Sequence, residues 1–144
     1  MMPKVLYTTT ATATGGRSGH TQSADGVVSA DLAVPESMGG ASRPGRATPE
    51  DLFACGYAAC FGSACEVAAK SILHLVAKSI EIECTVGIGT LPAGGYGLVI
   101  DLVARIQGLE PAQADAIVRK ADEICPYSNA IRNNVPVTVK AVVI

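Results

Sequence analysis

The sequence contains no tryptophan, only two histidines and no excess of positive charge. Its 144 residues include 11 lysines and arginines against 13 aspartates and glutamates, which gives a formal net charge of -2. Nucleic-acid binding depends largely on neutralisation of phosphates by Lys and Arg, so this composition argues against a nucleic-acid partner. His20 and His74 are far apart, and no Cys-x-x-Cys pair occurs. We therefore expect no metal site.

Signals for export or membrane insertion are also missing. Residues 1–5 lack the charged and apolar regions of a signal peptide. The most hydrophobic stretch, from Phe53 to Ala69, consists mainly of Ala, Cys, Gly and Ser and contains Glu66. It falls short of the ~20-residue apolar run that spans a bilayer. We therefore expect a cytoplasmic protein without a membrane partner, in which this stretch forms a buried helix.

Apolar residues are plentiful, at 49% of the sequence against 17% charged, in a chain as long as one ordinary domain. Residues 1–144 are predicted to form a single domain. Strand composition, a turn at Asp25-Gly26 and alternating apolar residues predict strands over five segments. These segments are residues 5–14, 27–33, 80–89, 96–106 and 135–144.

Two helices are predicted between these strands. Thr48 and Pro49 are typical of the N-cap and first position of a helix, which should run to about Leu73 and, being rich in small residues, pack against a second helix. That second helix begins at Pro111 and is stopped by Pro126. The fold class is therefore α+β, with antiparallel sheet and two helices.

The five cysteines raise the question of reactivity. They are Cys55, Cys60, Cys65, Cys84 and Cys125. Lasting disulfides are rare in the cytoplasm, and an odd number cannot all pair within one chain. Cys60 lies deep in a predicted helix, where apolar surroundings would raise its pKa. A reactive thiolate there needs a nearby cation, and the candidates are Arg17 in a glycine-rich loop and the pair Arg43 and Arg46 in the loop 35–48.

Cys125 lies at the carboxyl end of the second helix, an unfavourable place for a negative charge. This setting is typical of a resolving thiol rather than an attacking one. The residue pattern alone leaves open whether Cys60 and Cys125 meet.

Five motifs, in order, cover nearly the whole chain. They are ATATGGR at residues 11–17, TPEDLF at 48–53, GYAACF at 56–61, VGIG at 86–89 and CPYSNA at 125–130. On these motifs the sequence resembles the organic hydroperoxide resistance proteins, the Ohr branch of the Ohr/OsmC family. The resemblance implies an OsmC-like α+β fold, with antiparallel sheets wrapped around central helices in an intertwined homodimer.

The resemblance also implies a chemistry. The residue matching Cys60 attacks an organic hydroperoxide and becomes a sulfenic acid, and Cys125 then forms a disulfide with it. The arginine matching Arg17 stabilises the thiolate, and the glutamate matching Glu50 holds that arginine. Substrates would include fatty-acid hydroperoxides, the reductant would be a dithiol such as a lipoyl group on a partner protein, and no cofactor is required.

Several alternatives remain open. Cys55, Cys65 and Cys84 are expected to be buried small hydrophobic residues. An OsmC-like peroxidase with a different substrate preference, or a non-catalytic stress-related binding domain, would show many of the same motifs. A cysteine hydrolase would need His20 or His74 beside Cys60.

Overall fold

A computed structural model describes residues 2–144 of the chain. It contains six β-strands and three α-helices, with short 3₁₀ and π-helical segments. The chain divides into two compact units, one ending at Leu52 and the other comprising Phe53–Ile144. The α+β class predicted from the sequence is confirmed.

The first unit is built on a three-stranded antiparallel sheet. Its strands are β1 (Ala11–Thr14), β2 (His20–Ser23) and β3 (Ser29–Asp31), in that order. The predicted turn at Asp25-Gly26 is confirmed, with Gly26 at a φ of 76°. The predicted strand over residues 5–14 is present only from Ala11 onward, because the preceding residues are exposed and outside the sheet ladder.

An irregular segment leads from this sheet to the first helix, as predicted. Within it, Glu36–Met38 forms one 3₁₀ turn, and Leu32 pairs with Ala47 in an isolated bridge. Thr48 caps the helix, since its Oγ1 accepts the backbone N–H of Asp51 at 3.1 Å. The Asp51 carboxylate accepts the backbone N–H of Thr48 at 2.8 Å, so two donors of the helix start are satisfied.

Helix α1 (Pro49–Val67) continues as a π-helical segment, Ala68–Ile72, close to its predicted end at Leu73. Within α1 only Tyr57, Phe61, Ala64 and Cys65 are buried. The predicted buried helix is therefore buried along one side only in the single chain, and its small residues leave the other side exposed.

The helical stretch Pro49–Ile72 is also long and apolar enough to cross a membrane by length and composition, contrary to the sequence expectation. Its Ala, Gly and Cys residues are each only mildly apolar, but together they make the stretch hydrophobic enough for a membrane span. Core helices of water-soluble domains can be equally long and apolar, so this property is weak evidence for a membrane span.

The second unit contains a long hairpin and a crossover. Strands β4 (Ser79–Thr90) and β5 (Tyr96–Gln107) pair antiparallel over their whole length, as predicted, and β6 (Val137–Val143) pairs with β5. The β5–β6 pairing is parallel, which requires a crossover connection. Helices α2 (Pro111–Ile124) and α3 (Pro126–Ile131) supply it.

Helix α3 is a correction to the prediction that helical structure stops at Pro126. Pro126 does end α2, but it also occupies the first position of α3, where its missing N–H is not needed. Cys125 lies between the two helices with an extended backbone, φ -67° and ψ 123°.

The core of the second unit lies between the helices and one face of the sheet. Its fully buried members alternate along β5 and follow helical spacing on α1 and α2. The largest of these side chains are Tyr57, Phe61, Ile100, Leu102, Ile106, Ile117, Cys65 and Cys125. One thiol of the predicted active pair is thus itself part of the core.

Candidate active site

The first unit contains a bidentate ion pair between Arg17 and Glu50. The two guanidinium nitrogens of Arg17 donate to the two carboxylate oxygens of Glu50 at 2.7 and 2.6 Å. The Glu50 side chain is only 14% exposed. Hydrogen bonding from Arg17 holds the pKa of Glu50 below its usual range, so the carboxylate stays ionised and fixes the direction of the guanidinium.

Glycines shape the loop that carries Arg17. Gly15 has a φ of 78°, a backbone conformation that other residues rarely adopt. A Cβ on Gly19 would lie 1.8 Å from the carbonyl oxygen of Thr14, so no side chain fits there. These two glycines allow Gly16–Ser18 to form the 3₁₀ turn in which Arg17 lies.

The second unit contains a pair of thiols. The Sγ atoms of Cys60, on α1, and Cys125, at the end of α2, are 3.7 Å apart. Cys125 is completely buried and Cys60 partly so, and both are free thiols. A disulfide has an S–S distance near 2.05 Å, so a small movement of either sulfur would allow one to form.

The surroundings of Cys60 within this unit favour the neutral thiol. Burial raises its pKa, and the neighbouring Cys125 raises it further, whereas the backbone N–H of Tyr127 lowers it by hydrogen bonding to the sulfur. Burial is the largest of these effects. The two sulfurs therefore lie close enough for oxidation, but Cys60 has little tendency to ionise by itself.

Aromatic rings connect α3 with α1. Tyr127 packs against Tyr57 and Phe53, with ring centroids 5.8 and 6.1 Å away. The hydroxyl of Tyr57 is hydrogen-bonded to that of Ser128 at 2.7 Å, and both residues are buried. Tyr127 and Ser128 lie in the motif at residues 125–130, but the sequence shows no sign of this hydrogen bond, which joins positions 71 residues apart.

The other cysteines differ from one another. Cys65 is fully buried, and burial raises its pKa to about 12. Cys84 is half-buried, and burial together with the nearby Cys55 raises its pKa. Cys55 is exposed, so the expectation that all three are buried is confirmed only for Cys65, because Cys55 lies on the open side of α1.

The histidines and remaining arginines lie in other settings. Both ring nitrogens of His20 are engaged within the first sheet, by Asp31 at 2.8 Å and by Gln22 at 3.3 Å. Arg43 and Arg46 line a small cavity in the first unit. Among residues 2–144, no group of three or more His, Cys, Asp or Glu side chains could hold a metal ion.

Comparison with known proteins adds a family to this geometry. The model of the OsmC-like protein family matches residues 39–140. An organic hydroperoxide resistance protein of Xanthomonas axonopodis pv. citri is 47% identical over 137 residues, or 94% of each chain. The OhrA protein of Bacillus subtilis is 35% identical over 96% of this chain and 98% of its own.

Solved structures agree with the sequence relatives. The crystal structure of an organic hydroperoxide resistance protein from Elizabethkingia anophelis matches with a TM-score of 0.92 and 42% identity, over 99% of this chain and 100% of its own. One from Vibrio cholerae, with captopril bound in one of the active sites, matches with a TM-score of 0.88 and 40% identity, over 96% and 93% of the two chains.

Proposed function

The chain belongs to the OsmC family, among its organic hydroperoxide resistance proteins, and on that premise we propose that it is a thiol peroxidase that reduces organic hydroperoxides to alcohols. The observation that carries the proposal is the pair of free sulfurs of Cys60 and Cys125, 3.7 Å apart. The names of the relatives support hydroperoxide resistance as its role.

The proposed cycle begins with attack of the Cys60 thiolate on the terminal oxygen of the hydroperoxide. The O–O bond breaks, the alcohol leaves after taking up a proton, and Cys60 becomes a sulfenic acid. The sulfur of Cys125 then attacks that of Cys60, the S–O bond breaks, and water leaves with the proton of Cys125. A dithiol reduces the resulting disulfide, so two electrons enter for each peroxide consumed.

Arg17 and Glu50 have proposed roles in the first step. A thiol whose pKa is raised by burial, as that of Cys60 is, needs a cation to become a nucleophile. We assign this role to Arg17, and to Glu50 the role of orienting it. The bidentate hydrogen bonds between the two side chains support the assignment, because they hold the guanidinium in one direction.

The remaining features of the proposal concern partners and setting. Both units are proposed to act as one domain in a cytoplasmic homodimer, with fatty-acid hydroperoxides among the substrates and lipoyl groups of a partner protein as the reductant. Captopril carries a thiol, and its presence in an active site of the Vibrio cholerae protein is consistent with access for a thiol reductant.

The test is rapid-mixing kinetics of the reduced protein with cumene hydroperoxide and with hydrogen peroxide. We expect faster reaction with the organic peroxide, loss of peroxide consumption in Cys60→Ser, and a single turnover that stalls as a sulfenic acid in Cys125→Ser. Cys55→Ser is the matched control, since this cysteine is exposed. A Cys60→Ser variant as fast as the wild type would favour the non-catalytic binding domain instead.

A further inference from the structure

A buried hydrogen bond joins α1, which carries Cys60, to α3, which begins directly after Cys125. It joins the hydroxyls of Tyr57 on α1 and Ser128 on α3, at 2.7 Å, and the two residues are 0% and 3% exposed. Removing one partner of such a bond leaves the other hydroxyl buried and unsatisfied. The bond therefore favours one placement of α3 on α1.

The two hydroxyls belong to residues that flank the thiols in sequence. Tyr57 precedes Cys60 by three positions on α1, so the two residues are neighbours on the helix surface. Ser128 follows Cys125 by three positions, at the start of α3. A shift at this bond would therefore move the segment that carries Cys125 relative to the helix that carries Cys60.

Tyr127, which lies between Cys125 and Ser128 in the sequence, adds a second connection between α3 and α1. The ring of Tyr127 lies across Gly56, where a Cβ would be 3.0 Å from the tyrosine hydroxyl oxygen. The backbone N–H of the same tyrosine also lowers the pKa of Cys60. The turn from Cys125 to Ser128 thus contains both the second thiol and a group that acts on Cys60.

We propose that Tyr57 and Ser128 are positioning residues for the thiol pair, and that their hydrogen bond holds Cys125 against Cys60. The inference rests on the proposed function for its role in the peroxidase cycle. The step it affects is closure of the disulfide, in which the S–S bond forms and the sulfenic S–O bond breaks. Correct placement of two reacting groups is a large part of the rate of such a step.

The experiment compares Tyr57→Phe, Ser128→Ala and the double variant with the wild type. Tyr96→Phe is the matched control, because it removes a tyrosine hydroxyl that is exposed. The rate of disulfide formation between Cys60 and Cys125 is measured by mass spectrometry after one equivalent of cumene hydroperoxide. It is measured separately with diamide, which oxidises thiols without any peroxidase reaction. Urea unfolding and the pH dependence of Cys60 alkylation complete the measurements.

We expect closure to slow by about fivefold to tenfold in all three variants, as for the loss of one net hydrogen bond. Alkylation of Cys60 should shift to higher pH as the Tyr127 N–H moves away. The double variant distinguishes an effect on the position of Cys125 from an effect on the free energy of unfolding. Removing both hydroxyls leaves no buried hydroxyl without a hydrogen-bond partner. The urea midpoint of this variant should recover toward that of the wild type while its disulfide closure remains slow.

Two results would overturn the inference. One is closure at the rate of the Tyr96→Phe control in Tyr57→Phe, which is nearly isosteric and the variant best able to fold. The other is closure that recovers together with the urea midpoint in the double variant. Should the wild type ignore cumene hydroperoxide while the variants still close slowly with diamide, the proposed function fails and the positioning role stands.

Discussion

The ion pair of the first unit and the thiol pair of the second differ in the charge state that their surroundings favour. Hydrogen bonding from Arg17 lowers the pKa of Glu50 and favours its carboxylate. Burial raises the pKa of Cys60 and favours its neutral thiol. The oriented cation and the two neighbouring sulfurs therefore come from different parts of the chain.

The raised pKa of Cys60 limits the reactivity that two neighbouring sulfurs can have by themselves. An unperturbed cysteine of pKa about 8.5 is only a few per cent thiolate at neutral pH. Burial reduces that fraction further in the second unit, whereas Tyr127 offsets only part of the loss. In the proposed function the cation that Cys60 needs is Arg17.

The largest expected effect comes from removing that cation. Arg17→Ala should lower the second-order rate constant with cumene hydroperoxide by about 100-fold, the scale seen when one charge-stabilising group is deleted. Arg17→Lys should recover only part of the rate, because Lys cannot form the bidentate pair. Arg105→Ala is the control, since Arg105 pairs with exposed Glu81 and Glu83. Equal rates in the Arg17→Ala variant and this control would remove Arg17 from the mechanism.

A smaller effect is expected from removing the carboxylate that orients the Arg17 guanidinium. Glu50→Gln should reduce the rate constant by about tenfold, as for the loss of a charged hydrogen bond. It should also reduce the free energy of unfolding at pH 7 by about 1 kcal/mol. Glu81→Gln, at an exposed ion pair, is the comparison variant.

The pH dependence of that stability loss has a defined sign. The pKa of Glu50 is lower in the folded chain than in the unfolded one, so its contribution is complete above an unfolded value of about 4.3. It is lost as the pH falls through the folded pKa. The difference between wild type and Glu50→Gln should therefore shrink on acidification, and a difference independent of pH would contradict the ion-pair explanation.

The smallest effect on the peroxide reaction is expected at Cys65. Its pKa of about 12 in the folded protein keeps it protonated, so Cys65→Ala should leave the rate constant unchanged. The unfolded chain releases this proton near pH 8.5. Above that pH the folded state binds more protons, and this group alone lowers stability by up to ~1.4 kcal/mol per pH unit. Urea unfolding between neutral and alkaline pH should show a flatter decline in the variant; the exposed Cys55→Ala should keep the wild-type slope.

Short-range sequence patterns predicted the strands and helices whose apolar residues repeat with a regular period. The alternation in β4 and β5 and the helical spacing of α2 are visible over a dozen residues, and these elements are present as expected. Helix α3 was missed because Pro126 is a stop signal for one helix and a start signal for the next. The segment before Ala11 has strand composition but no described strand, since composition does not supply a pairing partner.

The candidate site shows the same limit more strongly. Local sequence ranked Arg17 no higher than Arg43 or Arg46, and only the family motifs connected it with Glu50, 33 positions away. The Tyr57–Ser128 bond spans 71 positions and has no periodic signature. Such contacts depend on tertiary packing, which one sequence does not reveal.

The separation of the two sulfurs along the chain has a consequence for the lifetime of the protein. Cys60 and Cys125 are 65 positions apart, so a disulfide between them would restrict a large loop of the unfolded chain and, by chain entropy, stabilise the fold by about 4 kcal/mol. A molecule that has just consumed a peroxide would resist heat and proteases better than one awaiting substrate. Oxidative stress would then prolong the lifetime of the molecules that have formed the disulfide, until a reductant returns them to the less stable dithiol form.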